Sequence, residues 1–234
     1  MRRFWIVMNI IYERLMLFAF VIALLVVAYG LYDAWYVYNK AGDKSILSYK
    51  PVAGAPVKEE SPITEDMVAW ITVDDTNIDY PVMQGDTNSE YLNLNPYGEY
   101  SLSGSIFLDS RNSSDFTDDY SILYGHHMEY GNMFGALDDF LDPSYLDSHS
   151  SGTLIIGRNN LTEHKLGIFA CAKVNAYDNQ ALDPTTLEHI SEVIEKDAVY
   201  INTSIEKSDH ILALSTCTEP VSTNRLIVFA YIYE

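Results

Sequence analysis

The chain has 234 residues, 48% hydrophobic and 20% charged, with a formal net charge of -19. That is enough apolar material for one core of ordinary size, and it excludes a disordered or collagen-like chain. A chain this anionic is repelled by phosphate backbones, so nucleic acid is excluded as a partner class.

The first element is apolar. Leu15 to Tyr32 runs 18 residues without a charge, which as a helix spans about 27 Å, close to the thickness of a bilayer core. Arg2, Arg3 and Arg14 precede the run and Asp33 follows it. The positive-inside rule therefore predicts a single-pass membrane protein with a cytoplasmic N-terminus and its remaining mass outside. Tyr29, Tyr32, Trp35, Tyr36 and Tyr38 suit an outer aromatic belt. A cleaved secretory signal ending at Ala28-Tyr29-Gly30 is the competing reading. The longer apolar run and its aromatic flank favour an anchor over residues 1–39.

Residues 40–61, with Pro51, Pro56 and two glycines, read as an extended linker. A folded domain is expected over 62–234. Residues 59–234 hold seven Lys or Arg against thirty Asp or Glu, an asymmetry that should attract cationic partners. A helix is expected near Ile63 to Trp70 and a weaker one near Met133 to Phe140. Nine short β-type runs follow the order WITV, NIDYPV, GSIFL, YSILYG, GTLIIG, KLGIFACAKV, AVYIN, HILALST and RLIVFAYI. They are divided by Asp, Asn, Gly and Ser clusters, and the expected fold is mainly β, a barrel with accessory helices. A helix is predicted in the long connection before HILALST. Asp183 would cap it, Pro184 would open it, and Leu187, Ile190, Val193 and Ile194 would form its apolar stripe.

Two cysteines would make a sparse disulfide framework for a domain of this size. Cys171 sits inside an apolar strand-like run, as a buried small residue would. Cys217 ends a β-type run among the polar residues Ser215, Thr216 and Thr218. A thiol with a pKa of about 8.5 needs a nearby base or cation to become a nucleophile. No histidine follows Cys217, and only His126 and His127 follow a glycine at a strand end. Consecutive strand residues point to opposite faces, so at most one of the two can face the thiol. His126 is the candidate. Arg225, the only Lys or Arg after Lys207, opens the next strand. In a hairpin of 211–216 with 225–232 it becomes a cross-strand neighbour of Cys217, able to bind a carbonyl oxygen and the oxyanion formed from it. Ser215, Thr216, Thr218 and Glu219, flanking the thiol, are candidate substrate-binding residues. No Cys-x-x-Cys or His-Glu-x-x-His occurs, and Asp109 to Asp119 lacks the spacing of a calcium loop, so neither metal nor cofactor is expected.

LSTCTEPVSTNRLIV resembles the sortase signature, in which a strand-ending Cys is followed across a loop by Arg, and YGHHM resembles the family's Gly-His turn. WITVDDTNIDYPVMQG, GSIFLDSRNSSDF and ILYGHHMEYGNMFG are similar to class B sortases in particular, and the likeness covers most of 65–234. It implies a closed sortase-type β-barrel and a cysteine transpeptidase. Cys217 would attack the threonine carbonyl of an LPxTG- or NPxTN-like sorting motif, Arg225 would hold that carbonyl, and His126 would protonate the leaving amine. The partners it implies are sorting-signal-bearing surface proteins or pilins, and an amine from a peptidoglycan precursor or a pilin lysine. A class B pilin polymerase is the alternative within the family. Outside it stand a non-catalytic β adhesion or scaffold module and a cysteine endopeptidase.

Overall fold

A computed structural model describes residues 1–52, 61–158, 161–175, 180–185, 187–217 and 224–233. The chain divides into two compact units, Met1–Lys40 and Ala41–Glu234.

The first unit is helix α1, Arg2–Ala41, whose Arg2–Val37 portion is long and apolar enough to cross a membrane. Large apolar residues are exposed along its whole length, Phe4, Phe18, Leu25 and Tyr32 among them, so its apolar surface is not confined to one stripe.

In the second unit the described residues form nine strands: β1 (Met67–Val73), β2 (Asp79–Met83), β3 (Ile106–Leu108), β4 (Tyr120–His126), β5 (Ser151–Ile156), β6 (Thr162–Asn175), β7 (Ala198–Ile201), β8 (His210–Cys217) and β9 (Asn224–Tyr233). Their order is β5-β1-β2-β3-β4-β8-β9-β6-β7, and β5 also pairs with β6. Eight strands thus close into a barrel, and β7 adds to the side of β6. Helix α2 (Pro143–Ser148) and helix α3 (Leu187–Asp197) complete the unit with short 3-10 turns.

Side chains alternate between two apolar layers. Ala69, Ile71, Leu123, Leu212, Leu214, Val228 and Ala230 belong to one. Trp70, Ile122, Tyr124, Ala213, Ile227 and Phe229 belong to the other, which also holds Ile190, Val193 and Ile194 of α3. Helical segments pack against both layers: α3 against the second, and Leu146 of α2 with Phe134, Leu137 and Phe140 against the first.

Four local expectations change. Residues expected to be helical near Ile63 to Trp70 turn instead into β1, because Ala69, Ile71 and Val73 alternate with Trp70 across a sheet buried on both faces. The helix expected from Pro184 starts at Leu187, and Asp183 instead accepts from the amide and hydroxyl of Thr185. The stretch 40–61 is not extended throughout: Lys44–Tyr49 form a 3-10 turn capped by Asp43, with Ile46, Leu47 and Tyr49 against the layer that holds Trp70. Lys50 Nζ lies 2.8 Å from Asp79 Oδ1, which also accepts from Trp70 Nε1 at 2.6 Å. The Gly-His pair, finally, is no turn. Gly125 and His126 are the last residues of β4, and a Cβ at 125 would strike Ile106 Cδ1 and the Phe134 ring.

Candidate active site

β4 and β8 pair in parallel, with a register that runs from Tyr120 opposite Ile211 to His126 opposite Cys217. β8 and β9 pair antiparallel, Ser215 opposite Ile227. The Thr216 hydroxyl carries the pairing one step on, donating to the Leu226 carbonyl at 3.4 Å and accepting from the Leu226 amide at 3.1 Å. Extended by the two residues beyond the Ser215–Ile227 pair, the same register would bring the backbone positions of Cys217 and Arg225 opposite each other, in one row with His126. Alternation along β4 and β9 puts the His126 and Arg225 side chains on the face of Tyr124 and Ile227, the layer that also holds α3.

Each of the other candidates has a definite place. His127 lies beyond the strand, and its Nε2 makes an exposed hydrogen bond with Asp138 Oδ2 at 2.7 Å. Thr216 is buried, and its hydroxyl ties β8 to the β9 backbone at Leu226. Ser215 is fully buried, and its hydroxyl has no hydrogen-bond partner among the described residues. Thr218 and Glu219 lie outside the described residues, as does the Cys217 side chain. Arg225 is half-buried, and its Nε is buried without a hydrogen-bond partner among the described residues. Its guanidinium lacks an internal carboxylate there and remains available to an incoming oxygen. The Cys171 thiol is fully buried in the layer of Leu123 and Val228, and burial pushes its pKa up to about 12.

Sequence reasoning missed a polar network behind the row. Asp109 is fully buried and accepts from Arg111 Nε (2.9 Å), Arg111 Nη2 (2.8 Å), the Arg111 amide (2.9 Å), Asn88 Nδ2 (3.0 Å) and the Tyr124 hydroxyl (3.1 Å). Burial would raise the Asp109 pKa, but the donors and positive charge of Arg111 outweigh it and hold the carboxyl below its ordinary value. Burial, with Asp109 beside it, raises the Tyr124 pKa, while the positive charges of Arg111 and Arg225 oppose the rise. The available signal was an aspartate closing the apolar run of β3 with an arginine two residues on. A carboxylate so placed is buried, and an arginine at that spacing can fold back onto it.

Beyond this geometry, the family model for the sortase domain matches residues 71–233. The chain belongs to the sortase family. Sortase B of Staphylococcus aureus is 34% identical over 179 residues, covering 74% of this chain and 72% of that protein. Sortase B of Listeria monocytogenes is 33% identical, covering 79% and 75%. A solved class B sortase of Streptococcus pyogenes involved in pilus biogenesis superposes with a TM-score of 0.65 at 37% identity, covering 73% of this chain and 94% of that one. This sortase is of class B, a cysteine transpeptidase that joins surface proteins to an acceptor by acyl transfer. The scaffold and endopeptidase alternatives lose their support, because the same match assigns transfer chemistry to the barrel that would otherwise be a passive module.

Proposed function

We propose that this sortase acts through Cys217, His126 and Arg225 on a sorting motif of the NPxTN or LPxTG kind. The supporting observation is the register that aligns His126 with Cys217, with Arg225 two residues before the Ile227 that pairs with Ser215. The Cys217 thiolate attacks the threonine carbonyl carbon. The carbonyl oxygen gathers negative charge and is held by the Arg225 guanidinium. As the C–N bond breaks, the leaving amine takes a proton from His126. An acceptor amine then attacks the thioester and gives a proton back to His126, and the C–S bond breaks to release the thiolate.

In this reading α1 is a membrane anchor with its N-terminus in the cytoplasm, since Arg2, Arg3 and Arg14 precede the apolar run. The barrel then works outside the membrane on tethered substrates, and a peptidoglycan cross-bridge amine is the acceptor. A pilin lysine is the acceptor in a second reading, favoured by the 37% identity to the S. pyogenes enzyme of pilus biogenesis.

The test uses the full chain in detergent micelles with peptides bearing either motif, followed by intact-mass measurement before and after an amine is added. An acyl adduct on Cys217 that passes to the amine, and that is absent from Cys217→Ala, is the expected result. An adduct persisting in Cys217→Ala would overturn the assignment. Presenting cross-bridge-like glycine and pilin-like lysine acceptors in competition separates the two readings.

A further inference from the structure

The His126 ring is held by a main-chain atom from a distant loop. Its Nε2 lies 2.7 Å from the Leu92 carbonyl oxygen. A carbonyl can only accept, so Nε2 carries the proton in this contact. Nδ1 makes no hydrogen bond among the described residues. The neutral ring is thereby committed to one tautomer, in which Nδ1 holds the free lone pair.

The Leu92 carbonyl owes its direction to its neighbours. The Tyr91 carbonyl accepts from the Ser105 amide (3.0 Å), the Asn93 carbonyl from the Ser101 amide (2.9 Å), and the Leu94 carbonyl from the Ser105 hydroxyl (2.7 Å). Segment 91–94 is thus stitched to 101–105, which leads directly into β3 beside β4. The closest approach is at Gly104, whose φ is +56° and where an added Cβ would lie 2.5 Å from the Leu92 oxygen and 2.7 Å from the Tyr91 oxygen. Only a residue without a side chain lets the two segments meet this closely in that backbone region.

We infer that the Leu92 carbonyl, kept in place by Gly104, is the positioning partner of His126, and that Nδ1 is the ring atom through which His126 gives and takes protons. This rests on His126 being the acid and base of the transfer reaction. In the first half-reaction Nδ1–H of the imidazolium delivers its proton to the departing amine nitrogen while the carbonyl carbon becomes bonded to Cys217 Sγ. In the second, the Nδ1 lone pair takes a proton from the incoming amine as the C–S bond breaks. Nε2–H stays with Leu92 throughout. Loop 91–94 consequently fixes the ring without taking part in the chemistry, the role that a carboxylate fills in other nucleophile-base arrangements.

The experiment is nitrogen NMR of the full chain in micelles with labelled histidine, at a pH where the ring is neutral, with His126 assigned from the spectrum of His126→Gln. The expected result is a single Nε2–H tautomer for His126. A proton on Nδ1, or an even mixture in the native protein, overturns the inference. Gly104→Ala should then show a mixture of tautomers and lower kcat about tenfold or more, with KM for the sorting peptide within about twofold, since displacing a catalytic group costs turnover more than binding. A folded Gly104→Ala with the native tautomer overturns the role given to Gly104. The native spectrum is decisive even where this variant fails to fold. Undiminished transfer by His126→Ala would sink the acid-base reading itself, whatever the tautomer.

Discussion

The two cysteines show how burial divides one functional group between two fates. Cys171 has no exposed surface and a thiol pushed up to about 12 by burial, whereas Cys217 ends a strand opposite a histidine. The folded chain should accept one equivalent of iodoacetamide at pH 8 and a second only in denaturant, while Cys217→Ala should accept none until unfolded, both read by intact mass. Rapid double labelling of the native chain would contradict this. Asp109 is a second residue whose state is set by its surroundings. Its folded pKa is depressed, so the stability it contributes is present above the unfolded carboxylate pKa of about 3.9 and lost as pH falls through the folded value. Asp109→Asn should therefore cost about 3 kcal/mol at neutral pH, and its gap in Tm from the native chain should narrow below about pH 4. A gap independent of pH would mean that the carboxylate charge is not what the site uses. Gly125 matters through space and not through turn geometry. Because Ile106 and Phe134 occupy the place of its Cβ, Gly125→Ala should destabilise by about 1–3 kcal/mol and lower kcat/KM by shifting the His126 end of β4.

At the scale of elements, hydrophobic period explains both the successes and the failures. The nine β-type runs appear as nine strands among the described residues, and in most of them side chains alternate between two buried layers; β7, with Val199 exposed, is the exception. Helix α3 was legible from its stripe, since Ile190, Val193 and Ile194 pack into the layer of Trp70, but its first turn was not. Asp183 spends its carboxylate on Thr185 and on an ion pair with Arg111 at 3.3 Å, a tertiary contact invisible in local sequence. The 63–70 segment misled because a strand buried on both faces loses its period of two and looks helical. The Lys44–Tyr49 turn escaped notice because prolines and charges surround it. Ile46 and Leu47 nonetheless cover the layer that contains Trp70, so replacing both with Ala should lower Tm by about 5 °C. An unchanged Tm would restore the reading of this stretch as a plain tether.

For the whole molecule, the net charge of -19 is a field acting on both substrates. In the function proposed above it would concentrate cationic amines near the barrel. KM for a cationic amine acceptor should accordingly rise with ionic strength, because added salt screens that attraction. A KM that stays flat between about 0.05 and 0.5 M salt would remove the field from the account. The sequence by itself determined the apolar N-terminal helix, the β character of the domain, and the residue types able to carry the chemistry, because these depend on local composition and period. Tertiary structure decided which residues share a row. His126 and Cys217 are 91 positions apart in the chain, and only the parallel register of β4 with β8 makes them neighbours. The same holds for the Leu92 carbonyl beside His126 and for the buried Asp109 behind Tyr124. A backbone oxygen has no signature in sequence, and a carboxylate reveals its depth only once the chain has closed over it.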